Sequence, residues 1–407
     1  MALGVHSEVG PLVRVILHEP DLELRRLTPT NKHDLLFDEV LWVQQARRDH
    51  AAFAAAVASQ GAQVLALADL LAETLSIPAA RQWVMDREFG PDDIGAASPA
   101  VRALLDALDP AELTRCLIGG LTNDEALALG LSSAESLWLQ TLWPRDFVLD
   151  PLPNSYFMRD SSCWVYGGAV VGAMAKPVRR REANHLEVIH RWHPLFAGEP
   201  FELWRRGEDG SPGSIEGGDV LVIGGGAVLC GVSERTTAPA VEALAARLFA
   251  AGQAHVVLAV ELPKVRSFMH LDTVVTMADH DAFVVFPGVL DRLRAWRLRP
   301  AEGPGELVVE PVADLAGAIA AALGLRAIRV VLTGGNRVDQ EREQWDDGNN
   351  VLALAPGVVV AYDRNVDTNS MLRREGIEVL TIPGSELSRG RGGPRCMSCP
   401  IERGPAR

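Results

Sequence analysis

Asp219-Val-Leu-Val-Ile-Gly-Gly-Gly-Ala-Val-Leu229 decides the fold. An apolar run, three glycines and a second apolar run read as two buried strands joined by a tight turn. Glycines after a strand can also mark a dinucleotide site. Here the spacing fails G-x-G-x-x-G, because Leu229 stands where the third glycine belongs, and that reading is discarded.

The pattern recurs. Asp160 precedes Cys163-Trp-Val-Tyr166, then Gly167-Gly168, then Ala169-Val-Val171. Asp272 precedes Thr273-Val-Val-Thr-Met277, then Asp279-His-Asp281, then Ala282-Phe-Val-Val-Phe286. Asp347-Gly-Asn-Asn350 precedes Val351-Leu-Ala-Leu354, then Pro356-Gly357, then Val358-Val-Val-Ala-Tyr362. Helices are predicted between the hairpins, near 239–251, 312–323 and 368–375, each followed by a glycine. Four ββα-like units, with a fifth begun by the strand Leu12–His18, mean internal repetition within an α/β fold. A sequential βαβ order would not place hairpins so regularly. A radial arrangement of the units would bring each leading aspartate toward a common centre.

Two further stretches are read from local signals. A helix is predicted from about Leu35 to Gln60, stopped by Gly61, with a strand at Val64–Leu67. Residues 70–142 change character. Ser98-Pro99 and Asp109-Pro110 read as N-cap and first-turn pairs, and Asp109 with Glu112 as a capping box. Four or five short helices and no strand are expected there, as a helical insertion within one domain spanning 1–407.

The net charge of −14 argues against nucleic acid as a partner, since phosphate binding needs a basic face. It is compatible with a cationic small molecule. The five cysteines, Cys116, Cys163, Cys230, Cys396 and Cys399, form no disulfide framework. With no signal-peptide pattern at Met1–Glu8, free thiols in a cytoplasmic setting are expected. The apolar run Val220–Val232 is too short and glycine-rich to cross a membrane.

Polar clusters sit at the mouths of the apolar strands: Pro153–Asp160, Ile215–Asp219, Met269–Asp272 and Ser388–Pro400. The last is a flexible-looking loop in which Gly390, Gly392 and Gly393 alternate with Arg389, Arg391 and Arg395 before Cys396. Positive charge favours a thiolate, so Cys396 is a candidate nucleophile; a basic tail with an incidental cysteine is the plainer reading. His270 and Asp272 flank Leu271, and in an extended segment both would point to one face. Cysteine, histidine and carboxylate together make a nucleophile-and-base set. Taken singly, His270 is as compatible with a structural role, Glu216 with a turn, and Asp160 with a pair to Arg159.

In order along the chain these clusters resemble the arginine deiminase family of guanidino-modifying enzymes. The resemblance is carried by Gly10–Val15, Asn154–Asp160, Arg179-Arg-Arg-Glu182, Glu216-Gly-Gly-Asp219, Glu234-Arg235, Met269-His-Leu-Asp-Thr273, Trp345-Asp-Asp-Gly348 and Gly390–Pro400. It implies a five-fold pseudosymmetric α/β propeller of ββαβ units with a helical insertion. It implies hydrolysis of L-arginine to L-citrulline and ammonia through a covalent Cys396 thiouronium. His270 would be the acid/base, with Asp160 and Asp272 on the guanidinium fork and Glu216 on a further edge. Asn154, Arg179, Arg235 and Arg391 would hold or cover the substrate's amino-acid end, with Phe157 and Leu41 as apolar walls. Neighbouring Arg180 and Arg181 leave the register of Arg179 open by one residue. No metal or organic cofactor is implied, and dimers and higher homo-oligomers are both compatible.

Cys399 makes a C-x-x-C pair with Cys396, which can signal redox chemistry or half a zinc site; no second pair exists. Other readings are an amidinotransferase, a dimethylarginine hydrolase, an agmatine deiminase, or an arginine-binding protein without turnover.

Overall fold

The computed structural model describes residues 3–207, 209–303 and 305–406. The Asp219 stretch forms the hairpin Val220–Gly224 and Ala227–Val232. Gly224, Gly225 and Gly226 all have positive φ, so this turn needs residues without a Cβ penalty. Helix Ala238–Ala250 then crosses over, and Val256–Glu261 pairs parallel to the second hairpin strand. A parallel neighbour requires such a crossover, because two strands running the same way cannot be joined by a tight turn.

Three more sheets repeat this order. Ser162–Val165 and Gly168–Val171 are followed by helix Arg180–Trp192 and the parallel strand Glu202–Arg205. Val275–Met277 and Ala282–Val285 are followed by helix Leu315–Ala322 and Arg329–Leu332. Leu352–Ala355 and Val358–Tyr362 are followed by helix Val366–Arg374 and Glu378–Ile382. The fifth sheet is assembled from distant segments. Leu12–Leu17 pairs antiparallel with Cys399–Arg403 and, after helix Val43–Ser59, parallel with Gln63–Ala66. An added hairpin, Ala295–Pro300 and Leu307–Val312, widens the Val220 sheet to five strands.

Three expectations are corrected. The helix predicted from Leu35 starts at Val43; Leu36 takes φ 66°, which an α-helix cannot accommodate, and Arg266 donates to its carbonyl at 2.8 Å. Leu121–Thr122 pairs with Phe147–Leu149, so the segment read as purely helical contains a short strand. At Asp109 the cap forms, with Ala111 and Glu112 N–H donating to Oδ1 at 3.0 Å each. The return arm is not made, and Glu112 takes Arg115 at 3.0 Å instead.

The helices of 67–141 do not stand apart. Leu70, Leu71, Val84, Phe89, Leu105 and Leu117 share one buried cluster with Trp164, Val165, Leu186 and Ile189 of the sheet and helix beside them. A second cluster, with Leu41, Phe37, Phe157 and Leu387, closes around Cys396. No described helix is long and apolar enough to cross a membrane.

Candidate active site

The strand mouths converge. Asp160 lies in a helical turn, Met158–Ser161, just before its strand. Glu216 precedes the turn Gly217–Asp219. His270 is extended, but Leu271–Thr273 is a 3₁₀ turn rather than the extended segment inferred from sequence. Asp219 dictates that turn: its Oδ1 accepts the Leu271 N–H at 2.9 Å, and Ser233 Oγ donates to its Oδ2 at 2.7 Å. His270 and Asp272 have different partners, Glu216 and Asp160 for the first and Arg395 and Cys396 for the second.

His270 Nε2 lies 2.8 Å from Glu216 Oε2, and Nδ1 lies 3.5 Å from Asp160 Oδ1. Burial opposes a charge on His270. The carboxylate of Asp160, the Glu216 hydrogen bond and the charge of Asp219 outweigh it and raise its pKa to about 9. Burial alone would raise the Glu216 carboxyl; His270, Arg235 and Arg179 bring it down to about 2. An added Cβ at Gly218 would lie 2.7 Å from His270 Cγ and 2.9 Å from Asp160 Oδ1, so this close packing needs glycine there.

Cys396 faces the same cluster, 3.5 Å from Asp272 Oδ2. It is 3% exposed, not on a flexible tail. Burial raises its thiol pKa well above the ordinary value, Asp272, Asp160 and Asp347 add to that, and Arg395 only partly offsets them. Arg395 is held fast: Nε and Nη2 grip Glu8 at 2.9 and 3.1 Å, and Nη1 donates to Asp272 Oδ2 at 2.7 Å. Neither Glu8 nor Asn350, which donates to the Cys396 sulfur at 3.1 Å, was singled out from sequence. Glu8 lies in no repeated unit; Asn350 did fall in the Asp347–Asn350 stretch that opens one.

The remaining sequence candidates are placed as follows. Arg179 is the buried member of its triplet, donating to Asp160 Oδ2 at 2.7 Å and pairing with Glu182 at 2.8 Å. Arg181 points away, to Glu88 at 3.0 Å. Arg235 Nη1 donates to Glu216 Oε2 at 3.3 Å. Both arginines thus sit on site carboxylates here rather than presenting a free anion site. Asn154 is buried and donates to the Leu35 carbonyl at 2.8 Å. Phe157 and Leu41 are buried in the cluster around Cys396. Arg391 lies 3.5 Å over the Trp345 ring and donates to the Trp345 carbonyl at 2.6 Å, with Nε and Nη2 buried and unpaired. Asp347 is buried near its charge, and burial lifts the Asp347 pKa to about 7 against the pull of Arg391. Cys399 opens its strand, buried near Arg159 and Ser162. A cleft of about 790 Å³ lined by Arg181, Arg205 and Ser211 borders this cluster at Ala175, whose N–H donates to Glu216 Oε1 at 3.0 Å.

A model of the arginine deiminase family matches residues 33–403. The chain belongs to the arginine deiminase family. Among solved structures it is similar to a dimethylarginine dimethylaminohydrolase adduct with S-methyl-L-thiocitrulline, at 15% identity and TM-score 0.54, covering 95% of this chain and 99% of that one. A Pseudomonas aeruginosa dimethylarginine dimethylaminohydrolase mutant complexed with citrulline gives 15% and 0.53, covering 95% and 98%. SxtG, an amidinotransferase from Microseira wollei, gives 13% and 0.56, covering 100% and 98%. At these identities the likeness shows a shared mixed α/β fold. Family and fold together make this chain a guanidino-modifying enzyme.

Proposed function

We propose that the chain is an arginine deiminase that hydrolyses L-arginine to L-citrulline and ammonia through a covalent Cys396 intermediate. One observation carries this reading. Asp160 Oδ1 and Asp272 Oδ1 are buried without a hydrogen-bond partner, beside a cysteine sulfur and a protonatable histidine. Asp160 Oδ1 has only the long contact to His270 Nδ1 at 3.5 Å and Asp272 Oδ1 has none, and such buried carboxylate oxygens are costly unless a donor arrives. A guanidinium, planar and rich in N–H groups, is a matched donor.

The steps follow from that arrangement. The substrate cation offsets the carboxylates that oppose Cys396 ionisation, so the thiol gives its proton to water and the thiolate forms as the guanidinium binds. Sulfur attacks the guanidinium carbon, and protonated His270 gives its proton to the departing nitrogen, which leaves as ammonia. A thiouronium remains on Cys396. His270, now neutral, takes a proton from water. The hydroxide adds to the carbon, the C–S bond breaks with its electron pair on sulfur, and the hydroxyl proton passes to that thiolate, restoring the thiol as neutral citrulline leaves. Glu216 orients His270 throughout. Asn154, Arg179 and Arg235 hold the amino-acid end once Arg179 and Arg235 turn from their carboxylates to that of the substrate, and Arg391 covers the pocket.

The same proposal treats the five sheets as blades of one pseudosymmetric propeller, with 70–142 as a helical insertion in a single catalytic domain working in the cytoplasm. Asp160, Glu216 and His270 also have the compact spread of a metal-ligand set, their ligand atoms lying within 4.8 Å of one another. The test therefore measures citrulline and ammonia from L-arginine before and after chelation, with Cys396→Ala alongside. Agmatine and methylated arginine serve as rival substrates. Chelator-resistant turnover of arginine alone, abolished by the substitution, is the expected result. Citrulline from methylated arginine, amidino transfer that requires an added amine, or binding without turnover would each replace this reading with another.

A further inference from the structure

Asn350 is fully buried, and its side chain binds Cys396 through both amide atoms. Its Oδ1 accepts the Cys396 N–H at 3.0 Å, and its Nδ2 donates to the Cys396 sulfur at 3.1 Å. The same Nδ2 reaches the Asp272 carbonyl at 3.0 Å. The backbone beneath is pinned as well. The Asn350 N–H donates to the Asp347 carbonyl at 3.0 Å, while the side chain of Asn349 accepts Thr333 Oγ1 at 3.0 Å. The amide is therefore aimed at the sulfur before any substrate arrives.

A hydrogen bond to an ionised acceptor is about twice as strong as one to a neutral acceptor, so this N–H favours thiolate over thiol. The titratable groups that act on this thiol among the described residues are charged or weakly acidic. Asp272, Asp160 and Asp347 oppose ionisation and Arg395 favours it. Buried Tyr156 and Tyr362 lie close enough for their phenols to interact with Cys396, and His270 stands across the same cluster. Asn350 is the neutral donor on the reacting atom.

We propose that Asn350 is a further catalytic residue, whose side-chain amide stabilises the Cys396 thiolate when it attacks and again when it leaves. This rests on the reading of Cys396 as the nucleophile. The second moment matters more. Attack removes charge from sulfur, so the bond from Asn350 weakens as the C–S bond forms. In the return half, the C–S bond breaks with its electron pair on sulfur, and the N–H strengthens as that leaving group develops charge. Loss of the donor slows release, so the thiouronium enzyme accumulates.

The test uses Asn350→Ala, which removes donor and acceptor, and Asn350→Asp, which keeps an oxygen for the Cys396 N–H and removes the donor. Asn350→Ser, too short to reach the sulfur, replaces the alanine variant if that does not fold. Alkylation of Cys396 by iodoacetamide is followed against pH without substrate, with Cys396→Ala as the blank. Acid quench and intact mass then give the fraction of amidino-enzyme during turnover. We expect the alkylation profile to move up by about one pH unit in each variant, kcat to fall about 10²-fold, KM to fall with it because release becomes the slow step, and the adduct fraction to rise. An aspartate variant matching wild type in profile and kcat would overturn the proposal, leaving Asn350 a backbone anchor. A shift in the aspartate variant but not in the alanine or serine variant would overturn it too, assigning the shift to added charge. Alkylation needs no arginine. A donor-dependent profile in a protein that makes no citrulline therefore retires the deiminase reading alone, whereas citrulline release with a donor-independent profile retires this inference alone.

Discussion

His270 and Glu8 carry opposite pH signatures. His270 has a folded pKa of about 9, above the ordinary 6.5, so its contribution to stability is complete below about pH 6.5 and lost as pH rises through 9. Urea unfolding of wild type should weaken across that window, and His270→Gln should flatten the slope. The deiminase reading adds a kinetic counterpart, kcat/KM falling above about pH 9 as the acid form is lost. Glu8 is the reverse case. Burial would raise it, but Arg395, Arg159 and Arg403 lower it to about 2. Its contribution is present above about pH 4.5 and lost as pH falls toward 2. Glu8→Ala should cost about 3–5 kcal/mol at neutral pH by unfolding, because two-pronged pairing to a buried guanidinium is broken. The difference from wild type should shrink in acid. A neutral-pH change under about 1 kcal/mol would show that Asp272 alone satisfies Arg395.

Among the connecting elements, the turns into the strands do the positioning. Gly218→Ala should keep most of the stability but lower turnover by about 10²-fold, since the new Cβ pushes on His270 and Asp160 and small displacements of reacting groups are expensive. Equal loss of Tm and activity would make Gly218 a folding residue instead. These turns also mark where sequence reading succeeds and where it stops. Alternating apolar runs and glycines gave the hairpins nearly to the residue, because a strand's partner across a tight turn is local. Leu271–Thr273 was read as extended because its 3₁₀ turn is imposed by Asp219 from a different hairpin. The late start of helix Val43–Ser59 has a similar cause: Leu36 is held by Arg266, far along the chain. The glycine-arginine loop looked mobile because its partners, Trp345 and Glu8, are equally remote. Catalytic candidates were legible as residue types at strand mouths; Asn350 and Glu8 became visible only as contacts.

Across the molecule, the fifth sheet is the one joint made by segments from opposite ends of the described chain. Ile401, fully buried in Cys399–Arg403, packs in the cluster shared by the helical segment and the neighbouring sheets. Ile401→Ala should cost about 2–5 kcal/mol in urea unfolding. If that joint aligns Cys396, the variant should also lose arginine turnover under conditions where it stays folded. Full activity in the folded fraction would show that the sulfur is held without the strand. The joint also orders events in time. A ribosome builds this chain from Glu8 toward Cys396, so the acidic half of the pocket is synthesised first and its sulfur long afterward. A nascent chain can thus gather its carboxylates while holding no reactive thiol at their centre. On the deiminase reading, chemistry would wait until Cys396 and the strand after it, Cys399–Arg403, are made and pair with Leu12–Leu17.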